Sequence, residues 1–454
     1  MLSSIRSRHN LFQRCCAVLL VPFLLCTMVA QAQETDTPRP NVLFIAVDDL
    51  NDWVGCLGGN PDAKTPHLDA LAAKGVLFTN AHCAAPLCNP SRVALMTGIR
   101  PSTSGVYEND QPFRKSPVLK DAVTLPQYFM KHGYTALGSG KIYHGGHPDP
   151  ASWDEYWPSQ LINSPPDPKS KIKAPGGIGH FNWGPLEETK EEMGDWKVAD
   201  WVSAQLVKEH DKPFFLACGI FRPHLPWHVP QKYFDMYPQD EISLPEVLEN
   251  DLADIPAAGR AMAKPGGDHK RITENNAWRT AVQAYLASIT FADDCVGKVM
   301  DALESSPHRD NTIVVLWSDH GWHLGEKEHW RKFSLWEEAT RSVLMVIAPG
   351  VTKTGERCDA PVNLMDIYPT LNELCALPKK EELEGVSFLS LLKDPVSPWV
   401  RPSLTTHGQN NHSVRSADWR YIQYADGGEE LYDHRTDPME WNNLAKNPNH
   451  ASKI

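Results

Sequence analysis

The sequence predicts an α/β protein built on a mainly parallel sheet sandwiched by helices. Three observations carry that reading. Short apolar runs recur without polar alternation, as strands buried on both faces require. Segments of helical periodicity separate them, the pattern of strand-helix-strand units. Two of the runs end abruptly in acidic residues, which would place charged groups at the carboxyl edge of the sheet, where open parallel sheets bind ligands.

The first run is Asn41-Val42-Leu43-Phe44-Ile45-Ala46-Val47, followed by Asp48-Asp49. A second, residues 312–317, ends in Ser318-Asp319-His320-Gly321. Residues 213–217 and 343–347 are further strand candidates. Thr65-Pro66 opens a helix that should close at Gly75, and residues 124–133 repeat the same order of cap, first-turn proline and terminating glycine. Residues 196–210 and 277–304 carry helical apolar spacing. Residues 145–195 and 229–276 are rich in Pro, Gly, Lys and Asp without periodicity, so they are expected to be long loops over the site. The main domain is expected over 33–396. Strand-like pieces at 419–424 and 430–433 predict a small C-terminal α+β subdomain over 397–454, whose completeness the sequence leaves open.

Residues 1–32 read as an export leader: Arg6, Arg8 and Arg14 precede an apolar stretch, and Ala30-Gln31-Ala32 is a small-residue cleavage site. The stretch, 15–29, is shorter than the roughly 20 residues that span a bilayer, so no stable membrane insertion is expected. The expected location is periplasmic or secreted. The whole chain, 454 residues with 41% hydrophobic and 22% charged, has the composition of an ordinary folded protein. Its net charge of −12 lacks any compensating basic run, which argues against a nucleic-acid partner. Beyond the leader, the seven cysteines Cys56, Cys83, Cys88, Cys218, Cys295, Cys358 and Cys375 form no CxxC pair, so zinc-finger and thioredoxin chemistry are excluded. An odd number in an exported chain leaves one thiol for a special role.

The most specific segment is Cys88-Asn89-Pro90-Ser91-Arg92, followed after four residues by Thr97-Gly98. It resembles the type I sulfatase signature, in which the cysteine is converted to formylglycine. Further blocks follow in that family's order: Arg39-Pro40-Asn41 to Asp49, Gly140-Lys141-Ile142-Tyr143-His144, Arg222-Pro223-His224-Leu225-Pro226, Ser318 to Gly321, and Leu431-Tyr432-Asp433 with Asp437-Pro438. Within the family, the Lys141/His144 spacing, the 222–226 segment and Asp319-His320 look most similar to iduronate-2-sulfatases.

The resemblance implies the alkaline-phosphatase-like sulfatase fold and a hydrated formylglycine at position 88 as nucleophile. It implies a metal held by Asp48, Asp49, residue 88, Asp319 and His320. Three carboxylates suit a hard cation, and Ca²⁺ tolerates irregular geometry better than Mg²⁺. Arg92, Lys141 and Lys332 are expected around position 88 and the sulfate, although Lys332, near Lys327 and Arg331, also fits a solvated charge run. His144 is expected to accept a proton and His224 to give one to the leaving alcohol. His228, His323 and His329 are possible pocket residues without roles, while His67, His132 and His308 read as ordinary structural histidines. The implied partners are a sulfated, uronic-acid-containing saccharide and a formylglycine-generating enzyme. Two alternatives stay open: a phosphonate or phosphate monoester hydrolase of the same fold, and a non-catalytic carbohydrate-binding descendant.

Overall fold

The computed structural model describes residues 39–454, so the leader expected at 1–32 lies outside the described residues. Its centre is an eight-stranded sheet. The strands are β1 (Asn41–Val47), β2 (Val76–Phe78), β3 (Thr135–Gly140), β4 (Glu155–Trp157), β5 (Phe214–Ile220), β6 (Thr312–Ser318), β7 (Leu344–Ile347) and β8 (Glu356–Cys358), in the spatial order β8-β2-β7-β6-β1-β5-β3-β4. Only β7 opposes the others: it pairs antiparallel with both β6 and β2. The expected strand at 343–347 therefore forms, but as the exception to the parallel rule.

β1 explains why its sequence is continuously apolar. Leu43, Ile45 and Val47 belong to the core on one face, and Val42, Phe44 and Ala46 to the core on the other. The first face is covered by the helices Gly194–Leu206 and Trp278–Glu304, and the second by Cys88–Thr97, Leu125–Lys131 and Ile367–Leu374. The expected cap at Thr124 forms a capping box with Gln127. Thr65 departs from expectation: its hydroxyl accepts from the backbone N–H of Gly55 at 2.8 Å and donates to Asp69, and so ties a neighbouring loop instead of capping its helix.

The two presumed loop regions carry more structure than their sequences announce. Residues 145–195 contribute β4, which extends the main sheet beside β3. Residues 229–276 contain the short helices Gln231–Phe234, Ala257–Ala263 and Asp268–Glu274. These are segments too short to display a period. At the C-terminus, β9 (Ser403–Thr406), β10 (His412–Arg415), β11 (Trp419–Gln423) and β12 (Glu429–Asp433) form a four-stranded antiparallel sheet. The only helical element described after it is the 3-10 turn Pro448–Lys453, so the expected α+β character reduces to a sheet with a turn. No helix among the described residues is long and apolar enough to cross a membrane.

A buried ion network ties this small sheet to the rest. Arg420 of β11 contacts both Glu337 and Glu440, and its Nη1 donates to the Leu335 carbonyl at 3.1 Å. Arg415 Nε lies 3.3 Å from Glu337, and His434 Nε2 lies 2.9 Å from Glu440. Burial alone raises the Glu337 carboxyl, but Arg415 and Arg420 overcome it and hold the group well below the usual range. Glu440 is lowered in the same way, with Arg420 again overcoming burial. A carboxyl lowered by folding stabilises the protein above its unfolded pKa, and that contribution is lost as pH falls through the folded value. Arg420→Met leaves two buried carboxylates short of a cation and should cost about 3–5 kcal/mol at neutral pH. Urea midpoints at pH 7 and in acid test this. The gap between wild type and variant should narrow in acid, and a gap independent of pH contradicts the ionic account.

Candidate active site

Four adjacent parallel strands deliver their carboxyl ends to one place. In the register, Val47 stands opposite Ile220 and Ser318, and Gly140 opposite Gly219. The residues that follow are Asp48 and Asp49 after β1, Asp319 and His320 after β6, Lys141 after β3, and His224 four residues after β5. Gly140 has φ +83°, and a Cβ there would lie 1.9 Å from the Gly219 carbonyl oxygen. Only glycine lets the β3 backbone approach β5 this closely and turn Lys141 inward. Asp49 also takes a left-handed φ of 60°. Its backbone is fixed by its N–H donating to Asp319 Oδ1 at 3.1 Å and its carbonyl accepting from Tyr285 at 2.8 Å.

Cys88 opens its helix beneath this edge and is buried. Its Sγ lies 3.0 Å from Lys332 Nζ, 3.4 Å from His320 Nε2, and 3.9 Å from both Lys141 Nζ and Asp49 Oδ1. Asp48, Asp49, Cys88, Asp319 and His320 each present one ligand atom within 4.8 Å of the others. Lys141 pairs with Asp48, and Lys332 Nζ sits 2.6 Å from Asp49. Lys332 is thus buried at the centre, not part of a solvated run. Its neighbour Lys327 is also buried, 2.6 Å from Asp251.

Arg92 is engaged within the protein. Its guanidinium is fully buried: Nε donates to Asp319 at 2.9 Å, Nη2 to Asp48 at 2.9 Å, and Nη1 to the carbonyls of Lys141 and Ile142. Four of its donor contacts are used within the protein, and two of them align the carboxylates of Asp48 and Asp319. Ser91 Oγ adds a bond to the Asp319 carbonyl at 2.6 Å.

The electrostatics follow from burying many charges together. Burial pushes the Cys88 thiol up to about 12 despite Lys141 and Lys332, so the unmodified thiol is a poor nucleophile at neutral pH. Burial, reinforced by the carboxylates of Asp48 and Asp319, raises Asp49 to about 7 even with Lys332 beside it, and its Oδ2 has no hydrogen-bond partner. Asp48 is pulled the other way: Lys141 and Arg92 outweigh burial. A divalent cation fits this donor set, because it would relieve the carboxylate repulsion and engage the orphaned oxygen.

The histidines sort by their partners. His320 Nδ1 lies 2.9 Å from the Gly321 carbonyl, which can only accept, so the ring proton sits there and the Nε2 lone pair faces the cluster. Burial lowers its pKa to about 4, keeping it neutral as a ligand must be. His224 has the same arrangement, with Nδ1 on the Leu225 carbonyl at 2.7 Å and Nε2 3.8 Å from Asp49 Oδ2. Burial, then Lys141, holds it well below 6.5, and an anion arriving beside it would raise it. His144 is lowered to about 3 by burial and then Lys141, which leaves its ring neutral. Lys141, His144 and His224 share a cavity of about 400 Å³ with Leu161, Ile162 and Phe221. A larger cavity, about 640 Å³, is lined by Asn372 and Leu377 and contains none of these groups.

His228, His323 and His329 stand outside the Cys88 cluster. His323 Nε2 meets Ser334 Oγ at 2.9 Å, and His329 lies between the carbonyls of Ala263 and Lys332 at 2.7 and 2.6 Å. The His228 carbonyl accepts from Arg222. His132 and His308 bond backbone carbonyls, as expected of structural histidines. No pattern in the residues marks His180, whose ring centroid is 5.2 Å from that of His224, or Phe221, whose ring lies 5.0 Å from Lys141 Nζ. His180 lies on an aperiodic loop, and Phe221 reads as a strand residue.

Comparison with known proteins agrees with this geometry. The family model described as Sulfatase matches residues 40–376, and that described as N-sulphoglucosamine sulphohydrolase, C-terminal, matches 325–454. A sulfatase of Formosa agariphila is 41% identical, over 93% of this chain and 86% of its own length. Mouse iduronate 2-sulfatase is 31% identical, over 80% of this chain and 73% of its own. In fold, the chain is similar to a phosphonate monoester hydrolase from Silicibacter pomeroyi, with a TM-score of 0.77 and 23% identity over 92% of this chain and 93% of that one. The match across most of the chain places the signature cysteine within the family's own fold, and the chain belongs to the sulfatase family.

Proposed function

We propose that this protein is an exported sulfatase that hydrolyses sulfate esters of a sulfated, uronic-acid-containing saccharide, in the manner of iduronate 2-sulfatases. The observation that carries the reading is the convergence of Lys141, Lys332, His320 and three carboxylates on one buried cysteine whose thiol is itself unreactive. A formylglycine-generating enzyme is the implied maturation partner. The catalytic domain is taken as 33–396 and the C-terminal subdomain as 397–454. The phosphonate hydrolase alternative rests on fold likeness alone and is tested by activity ratios on matched sulfate and phosphonate esters.

Formylglycine at position 88 would supply a hydrated aldehyde as nucleophile, and a Ca²⁺ held by Asp48, Asp49, Asp319 and His320 would supply Lewis acidity there. The chain's own residues do the rest. Lys141 and Lys332 flank position 88 and offset negative charge as the S–O bond breaks. Arg92 is a positioning residue that fixes Asp48 and Asp319. His144, neutral at physiological pH, accepts a proton in the pocket. His224 gives one to the departing alcohol once the sulfate's charge has raised its pKa.

Two outcomes follow. Mass spectrometry of the peptide containing Cys88, from protein made in a competent host, should show the thiol sulfur lost, and Cys88→Ala should abolish turnover while the fold is retained. Active enzyme carrying only the unmodified thiol would overturn the nucleophile assignment. His224→Ala should slow a sugar sulfate by about 10²–10⁴-fold more than an activated aryl sulfate, whose phenolate leaves unprotonated. His144→Ala should slow both alike. Equal losses on the two substrates for His224→Ala would move the acid role elsewhere.

A further inference from the structure

Beside the Cys88 pocket lies a second cavity, of about 240 Å³, whose lining includes Lys264, Asp268, Arg271, His329, Arg331 and Phe333. Arg331 and Phe333 flank Lys332, whose ammonium touches Cys88 Sγ, and His329 Nε2 holds the Lys332 carbonyl at 2.6 Å. Arg331 lies 4.7 Å from the centre of the Phe181 ring, and the ring of the adjacent His180 is 5.2 Å from that of His224, which lines the Lys141 cavity.

The charges in this cavity do not balance. Arg271 and Arg331 share one carboxylate, Asp268, with Arg331 Nε at 2.6 Å from it. Arg271 Nε is buried without a hydrogen-bond partner. Lys264 is exposed, and among the described residues it has no carboxylate within ion-pair distance. It is held in a left-handed conformation, φ 50°, at the end of the helix Ala257–Ala263, which aims the chain at the cavity. Glu108 also feels the Lys264 charge. The cationic field reaches the catalytic pocket: burial first, then Arg331 and Lys332, lower His180 to about 4. Guanidinium groups with unused donors on a partly buried surface match the flat, paired oxygens of a carboxylate or sulfate.

We infer that this cavity is a subsite for a second anionic group on the substrate, carried on the sugar next to the one whose ester is cleaved. The inference rests on the sulfated-saccharide reading above and makes the substrate polyanionic. A carboxylate and a second sulfate share the required chemistry. Lys264 and Arg331 would engage that group, with the outer position of Lys264 drawing the anion in from solvent.

The test uses Lys264→Ala, Lys264→Arg and Arg331→Gln with four substrates: 4-nitrophenyl sulfate, a sulfated disaccharide containing a uronate, its carboxyl-reduced counterpart, and a disulfated disaccharide without a carboxylate. Loss of one charge-assisted contact should lower kcat/KM about tenfold, mainly through KM, on substrates bearing a second anion. Turnover of 4-nitrophenyl sulfate by Lys264→Ala should stay within about twofold, and Lys264→Arg should restore the difference. Selective loss on the uronate disaccharide, absent after carboxyl reduction, identifies a carboxylate; selective loss on the disulfated one identifies a sulfate. Equal losses on all four substrates, or none on any, would overturn the inference. Calorimetric binding of both dianionic disaccharides to Cys88→Ala protein, with and without Lys264→Ala, reads the subsite without turnover. A tenfold weakening for either disaccharide supports it, and unchanged affinity for both refutes it. A wild type that cleaves phosphonate but not sulfate esters would instead sink the sulfatase reading, and the calorimetry would still decide the subsite.

Discussion

Asp48, Asp49 and Asp319 are buried together at the end of two neighbouring strands, and ionised carboxylates at such spacing repel one another strongly. Two like charges about 4 Å apart interact by about 4 kcal/mol at an effective dielectric constant of about 20. The protein answers with three buried cations from three different segments: Arg92 beneath, Lys141 from β3, and Lys332 from the loop after β6. Cys88 is fixed at their centre. Moving Arg92 would leave Asp319 without its cation and moving Lys332 would leave Asp49 without one, while Asp48 is held by both Arg92 and Lys141, so the folding of three strand ends, one helix and one loop is tied to a single electrostatic arrangement.

The loop that brings Lys332 illustrates the cost. Lys327, Glu328, Arg331 and Phe333 all take left-handed backbone angles, which side-chain-bearing residues avoid. The segment is held from both sides. Lys327 pairs with Asp251 and contacts the Glu440 carbonyl, His329 meets the Ala263 carbonyl, and the Phe333 N–H donates to the Pro86 carbonyl. The C-terminal sheet, through Glu440 and Arg420, is therefore coupled to the position of Lys332. An unusual backbone persists because surrounding contacts over-determine it.

Much of this was legible in the residues. β1 and β6 end where their apolar runs stop, since a strand buried on both faces tolerates no polar side chain until it reaches the edge. The same abruptness marked Asp48, Asp49, Asp319 and His320 as one cluster, and the Cys88 signature located the centre. Other features were hidden for physical reasons. β4 is three residues long, and the helices after residue 229 are too short to show a period. The reversal of β7 depends on which neighbours it meets, not on its composition. Arg92 belongs to the signature, but only the placement of Asp48, Asp319 and two carbonyls reveals which groups its donors hold. Lys332 sits in a run of charged residues that a linear reading cannot separate from a solvated surface.

On this reading the buried carboxylates of Asp48, Asp49 and Asp319 form a cation-dependent site. Elemental analysis of purified, active protein alongside its Asp319→Asn variant tests it most directly. One calcium per chain in the wild type, reduced in the variant together with turnover, is the predicted result. Stoichiometric zinc, or full activity after exhaustive chelation, would contradict it.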